Sequence, residues 1–162
     1  MRAAESRNLE YAVKASFLYK FGDYVRWPLA SFPSDTTPVV LCVVGDDPFG
    51  RTLDDATNGE HIGMHPITVR RSPAVVTESG CNILFTRGSA AQSVANVLKA
   101  VAGQPVLTIT ETIDEGPRGI INFAIRDNRV RFEIDEQTAT THQLEISSKL
   151  LSLAVAVRRD MP

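Results

Sequence analysis

Hydrophobic and polar positions recur with several different periods along this chain, and each period predicts a different element. From Glu5 to about Val25 the apolar residues Val13, Phe17, Phe21 and Tyr24 or Val25 follow three- and four-residue steps, with Leu9 and Leu18 widening the stripe. That spacing lines one face of an α-helix, and it leaves Lys14, Lys20 and Asp23 on the other face. Trp27-Pro28 ends the helix, because a residue before proline is pushed out of the α region. After a turn-rich stretch, Pro38 to Val44 is continuously apolar, as expected for a strand covered on both faces. Gly45-Asp46-Asp47-Pro48 then reads as a helix start, with Asp47 as cap and Pro48 in the first turn. Asn58-Gly59 stops that helix.

Ile67 to Arg71 and Cys81 to Phe85 read as strands, and Ser89 is an N-cap candidate for a helix from Ala90 to Val101. Val106 to Ile109 is the next strand. Gly119 to Ile125 and Arg129 to Ile134 flank Asp127-Asn128, a two-residue hairpin signal. In the second of these strands Val130, Phe132 and Ile134 alternate with Arg129, Arg131, Glu133 and Asp135, so one face is wet or partner-facing. A last helix is expected from about Thr138 to Arg158. Its apolar residues, among them Leu144, Leu150, Leu151, Leu153, Val155 and Val157, surround most of its circumference. Such a helix needs burial on more than one side, deep in the core or in a dimer contact.

The order of elements predicts an α/β fold: one three-layer α/β/α sandwich over residues 1–162, with its core at about 5–158. Its mixed sheet would have about six strands, with an antiparallel hairpin at one edge. At 162 residues the chain buries roughly 70% of its unfolded surface, so no metal or disulfide framework is required for stability. A net charge of −2 argues against nucleic acid, since the only close basic pairs are Arg70-Arg71 and Arg158-Arg159. No apolar run approaches the roughly 18 to 20 residues of a membrane span, so no membrane insertion is expected. No signal peptide is visible before the first helix, which leaves the compartment open. Cys42 and Cys81 lie in or beside apolar strands and can pair if those strands are neighbours; their number alone decides nothing.

Candidate catalytic groups fail on geometry. A phosphate loop needs several glycines, whereas Gly45-Asp46-Asp47-Pro48 offers one glycine and two carboxylates. Asp46, Asp47, Asp54 and Asp55 suggest a receiver-type acidic pocket, but neither Asp127 nor Lys149 falls where its chemistry needs a partner. His61 and His65 have the four-residue spacing of a helical metal pair, yet Gly59, Gly63 and Pro66 disfavour helix there. Ser147-Ser148-Lys149 places adjacent helical residues in different directions. No metal, cofactor or catalytic residue is therefore expected, and the chain reads as a non-enzyme. Arg26, Trp27, Phe32 and Phe49 are the candidates for partner binding. The aromatics stand beside prolines and glycines at element ends, where partial exposure is expected, and aromatic and arginine side chains dominate interface hot spots. The competing expectation for Trp27 is a cover over the core beneath the first helix.

Several segments, taken together, resemble the YfiR family. Val13-Lys14-Ala15-Ser16-Phe17-Leu18-Tyr19-Lys20-Phe21 followed by Trp27-Pro28 is similar to its opening helix. Gly45-Asp46-Asp47-Pro48-Phe49-Gly50, Gly80-Cys81-Asn82-Ile83-Leu84-Phe85 and Pro105 to Ile109 resemble later blocks. Ile121-Asn122-Phe123 with Arg129 to Ile134, and Ile146 to Leu151, complete a set spanning about residues 11 to 155 in order. The resemblance implies a periplasmic protein, and in that compartment a Cys42–Cys81 disulfide is favoured over free thiols. It also implies action by binding: repression of an inner-membrane diguanylate cyclase through its periplasmic part, lowering cyclic di-GMP and biofilm formation. An outer-membrane lipoprotein that relieves repression and a homodimer are implied as well. Some members carry a second cysteine pair in the later strands, and Gly119 to Asp135 contains no cysteine. The alternative function is a periplasmic small-molecule sensor.

Overall fold

A computed structural model describes residues 2–75 and 77–159; Met1 and residues 160–162 of the expected domain lie outside the described residues. Helix α1 (Arg2–Lys20) runs into a 3-10 turn, Phe21–Tyr24, and strand β1 (Val25–Arg26). Next come β2 (Val39–Gly45), α2 (Arg51–Thr57), β3 (His61–Ile62), β4 (His65–Ser72), β5 (Ile83–Gly88), α3 (Val94–Ala100) and β6 (Leu107–Thr110). The chain continues through β7 (Ile121–Arg126), β8 (Arg129–Asp135), α4 (Glu136–Thr141), β9 (Glu145–Ile146), α5 (Ser148–Leu153) and β10 (Ala156–Arg158).

Eight strands form one mixed sheet in the order β10-β8-β7-β6-β5-β2-β4-β3, and β1 pairs with β9 apart from it. The strands at its centre are parallel, as βα units require; β7–β8 and β3–β4 are antiparallel. Side-chain alternation along the central strands feeds two cores. Leu41, Val43, Ile83, Phe85, Ile109 and Phe123 face α1 and α2, together with Leu150 and Leu151 of α5. Cys42, Val44 and Leu84 face Val97 and Val101 at α3. Helices therefore cover both faces of the sheet, the α/β architecture expected, with more strands than the expected six.

The first core is aromatic. Phe21, Phe85 and Phe123 are fully buried, and Phe21 meets Phe132 edge-on with ring centroids 5.1 Å apart. Each such burial is worth about 1.5–3 kcal/mol, with a further ~1 kcal/mol where rings meet edge to face. A disulfide joins Cys42 on β2 to Cys81 just ahead of the neighbouring β5, with Cα atoms 5.9 Å apart. At the opposite ends of these two strands the backbones meet closely: a Cβ on Gly45 would stand 2.9 Å from the Gly88 carbonyl oxygen. Gly45 also has φ +87°, so glycine is required there twice over.

Three expectations are corrected. The terminal helix is not one element. Gln143 takes φ +62°, after which Glu145–Ile146 pairs with β1 and Ser147 caps the short α5 by accepting from the Leu150 amide. Ala156–Arg158 then joins the main sheet alongside β8. The apolar residues of the segment are numerous because it serves four elements, α4, β9, α5 and β10, with different inward faces, which a helical reading merges into one. Second, β10 lies outside β8, so the β7–β8 hairpin is one strand in from the edge. Third, the helix starts move: Asp47 accepts from the Phe49 and Gly50 amides and closes a turn ahead of α2. Ser89 closes a similar turn, and Ser93 caps α3.

Candidate partner interface

The α3 side of the sheet has an uncovered half. Over β2 and β5 this side is apolar and lies beneath α3; from β6 onwards it becomes polar. Thr108, Thr110 and Asn122 are buried there and tie down the segment between β6 and β7. Thr110 Oγ1 donates to Asn122 Oδ1 at 2.6 Å and accepts from the Gly119 amide at 2.9 Å. The Ile120 amide donates to Thr108 Oγ1 at 2.9 Å. Asn122 Nδ2 donates to the Thr112 carbonyl, and Asn122 Oδ1 accepts from the Thr112 amide. With every one of these polar groups partnered, the layer is rigid rather than costly.

Next to it the same face carries charge. Two-residue alternation on β8 places Arg129, Arg131, Glu133 and Asp135 opposite the buried Phe132 and Ile134. Arg118 Nε reaches Glu133 Oε1 at 3.2 Å, and Arg126 approaches the other oxygen at 3.9 Å. Arg158 of β10 lies 3.4 Å from Asp135. A shallow hollow of about 430 Å³ runs among Arg118, Asn122, Glu133, Asp135, Ala156 and Arg158. Arg118, Arg126, Arg129, Arg131 and Arg158 thus outnumber Glu133 and Asp135 on a face that no described helix covers, in a chain whose net charge is −2. Exposed ion pairs of this kind contribute little to stability; arginine in quantity on an open sheet face suits recognition of carboxylates.

A second cluster lies across the sheet, at the carboxyl ends of β5 and β6. Lys14, expected on the outer face of α1, is 3% exposed. Its Nζ contacts Glu10 at 2.5 Å and Glu111 at 2.9 Å and stands 4.8 Å from the Tyr11 ring centroid. The Tyr11 hydroxyl donates to Glu111 at 2.9 Å, and Arg87 lies 3.4 Å from the same carboxylate. Burial, then the Glu111 charge, pushes the Tyr11 phenol up to about 12. The cluster borders a hollow of about 560 Å³ that also includes Phe123 and Ile125. Local periodicity carried no signal for it, because Lys14 and Glu111 are 97 positions apart.

The expected partner-binding residues do not converge. Arg26 is exposed, with a loose 3.9 Å pair to Glu145. Phe32 is half-buried, edge-on to Trp27 at 5.8 Å and stacked on His65 at 4.6 Å. Trp27 and Phe49, expected partly exposed, are only 8% and 4% exposed. Trp27 is buried in the core that includes Phe21, so it covers the core; its Nε1 is buried without an acceptor among the described residues. The Asp47 turn directs Phe49 inward, onto Tyr11 at 5.6 Å and Phe85 at 4.9 Å. Being element ends did not expose them: Tyr11 of α1 and the Asp47 turn enclose Phe49, and Trp27 packs into the core against Phe32. His61 and His65 lie on neighbouring strands of a hairpin, and burial lowers the pKa of His142, whose Nδ1 contacts the Val106 carbonyl.

Among the described residues no helix is long and apolar enough to cross a membrane. Compared with known protein families, the chain matches one described as YfiR/HmsC-like over residues 11–155. No curated protein matches it.

Proposed function

The chain belongs to the YfiR/HmsC-like family, and from that premise we propose that it is a periplasmic, non-catalytic regulator that docks on and represses the periplasmic part of an inner-membrane diguanylate cyclase. Repression lowers cyclic di-GMP and biofilm formation, an outer-membrane lipoprotein relieves it, and the protein works as a homodimer. The observation that carries this reading is the uncovered, arginine-rich face of β7, β8 and β10. No reacting group is needed there. A regulator that binds one arrangement of the cyclase more tightly than another shifts its equilibrium by that difference in affinity alone. An open face with surplus arginine suits an acidic surface on the cyclase, with Glu133 and Asp135 fixing the register. Arg26, exposed at β1, is proposed as a second accessible contact.

The test is cyclic di-GMP in cells carrying the cyclase encoded nearest the gene. Export of the wild-type chain to the periplasm is expected to lower it, and Arg126→Glu with Arg131→Glu to abolish the fall while the protein stays folded. A variant that represses like wild type would remove the docking face. A wild-type chain, folded and oxidised in the periplasm, that changes nothing would remove the repressor reading. The hollow beside Lys14 favours a second reading, a small-molecule sensor; that reading predicts saturable thermal stabilisation by a metabolite in the absence of any protein partner.

A further inference from the structure

The closed end of the β7–β8 hairpin gathers like charges. Arg126 and Arg129 stand directly opposite each other across the Asp127-Asn128 turn, and Arg131 follows two residues along β8, roughly 7 Å further on. Strand alternation sends all three side chains to the α3 side of the sheet, and all three are exposed. Like charges directly opposite on a sheet destabilise the pairing, and carboxylates do not relieve this one. Among the described residues neither Arg129 nor Arg131 forms an ion pair, and Arg126 only approaches Glu133, at 3.9 Å. Asp127 in the turn is the one acidic residue between positions 126 and 131. The hairpin itself is specified by its turn and by the buried Phe123, Phe132 and Ile134, so the fold does not require the cluster.

The two halves of the open face differ in kind. Towards β10, Arg118 and Arg158 are each held by a carboxylate, Glu133 or Asp135. That fixed pattern of both signs suits a protein docked in one register. Towards the turn three arginines face one carboxylate, with no fixed pattern. Guanidinium groups bind phosphate bidentately, and a lipid surface offers phosphates that move laterally to meet whatever spacing the arginines have. On the other side of the same strand end Ile125 is 44% exposed, which sets aliphatic surface beside charge, the combination that peripheral membrane contacts use.

We propose that the arginine end of the β7–β8 hairpin rests on an anionic phospholipid surface through Arg126, Arg129 and Arg131, without inserting into it. The proposal goes beyond the docking reading and rests on it in one respect: a repressor of an inner-membrane cyclase works beside the lipid of that membrane. With a net charge of −2 the chain carries its compensating carboxylates elsewhere, so this end is the one attracted. Each arginine adds a separate increment of attraction that falls off within a Debye length, about 8 Å at physiological ionic strength. Three arginines therefore give a reversible, salt-sensitive contact. Confinement to the surface raises the local concentration of the protein at a membrane-anchored partner.

Co-sedimentation of purified, oxidised protein with vesicles, in the absence of any cyclase, tests it. Wild type is expected to bind vesicles of phosphatidylglycerol and phosphatidylcholine in equal parts, to be released as salt is raised, and to ignore vesicles of phosphatidylcholine alone. Arg129→Gln with Arg131→Gln is expected to bind more than about tenfold more weakly. Its urea midpoint should equal or exceed that of wild type, because an opposed like-charge pair has been relieved. Arg51→Gln, at an exposed position on α2, is expected to bind as wild type does. A wild-type chain that ignores anionic vesicles at low salt would overturn the lipid contact and leave the docking reading to its own test on cyclic di-GMP. Equal binding by wild type and the double variant would overturn the assignment to the hairpin. Vesicle binding that depends on the two arginines, alongside unchanged cyclic di-GMP in cells, would uphold the lipid contact and remove the repressor reading alone.

Discussion

A lysine ammonium taken out of water has to be matched by carboxylates at close range, or its desolvation is uncompensated. Lys14 meets that requirement with Glu10 and Glu111, and both Glu111 oxygens are occupied once Tyr11 and Arg87 are included. Replacing it by methionine keeps most of the volume and leaves Glu111 buried with fewer partners. Lys14→Met is therefore expected to lower the unfolding free energy by about 3 kcal/mol, at the low end for a broken buried pair because Arg87 remains. Urea denaturation reads this directly, and an unchanged midpoint would mean that the cluster is hydrated. Tyr11 adds a pH signature. Its phenol is raised from 10.0 to about 12 by burial and the Glu111 charge, so the folded state holds this proton more tightly than the unfolded chain. The corresponding stability is complete below pH 10 and is lost as the pH rises through about 12. Wild type should lose stability over that interval faster than Tyr11→Phe; parallel losses would contradict the raised phenol.

At the scale of the element, the β7–β8 hairpin shows what a local pattern can carry. Asp127 and Asn128 take φ +52° and +65°, the paired left-handed conformation of a type I′ turn, whose twist matches the flanking strands. Asn128→Gly is expected to stabilise the protein by a few tenths to ~1 kcal/mol. Asn128→Val is expected to destabilise it by about 1–2 kcal/mol, since a branched side chain is strained there; denaturation midpoints moving in opposite directions are the check. The central strands were legible for a related reason: uninterrupted apolar runs such as Val39–Val44 fit only a strand covered on both faces. What stayed illegible depended on partners distant in sequence. The break at Gln143 follows from pairing with β1 more than a hundred positions away. The burial of Phe49 follows from Tyr11 of α1 and Phe85 of β5 closing on it, and that of Trp27 from its place in the core against Phe32. Of the candidate interface, the charged alternation on β8 was visible from Arg129 to Asp135. Arg118, Arg126 and Arg158 joined it only through the sheet order.

Across the whole molecule the two cores are joined through one sheet, and the Cys42–Cys81 bridge lies where the strand order changes direction. From β2 the chain crosses to β4 on one side by way of α2, then returns past β2 to β5 on the other. The bridge closes that excursion, a separation of 39 positions that includes α2, β3 and β4. Cross-linking a loop of this length restricts the unfolded chain by up to about 4 kcal/mol in the chain-entropy account. Cys42→Ala with Cys81→Ala is expected to lose most of that amount, plus a smaller cost for the vacated volume beside Val97 and Val101. The variant should also unfold with a steeper dependence on urea, because an unlinked chain exposes more surface. Reduced wild type should approach the variant in both quantities. If reduction shifts neither the midpoint nor the slope, the excursion is held by sheet pairing alone, through the six-residue β2–β4 register. A lower midpoint with an unchanged slope would place the effect in native packing rather than in the unfolded chain.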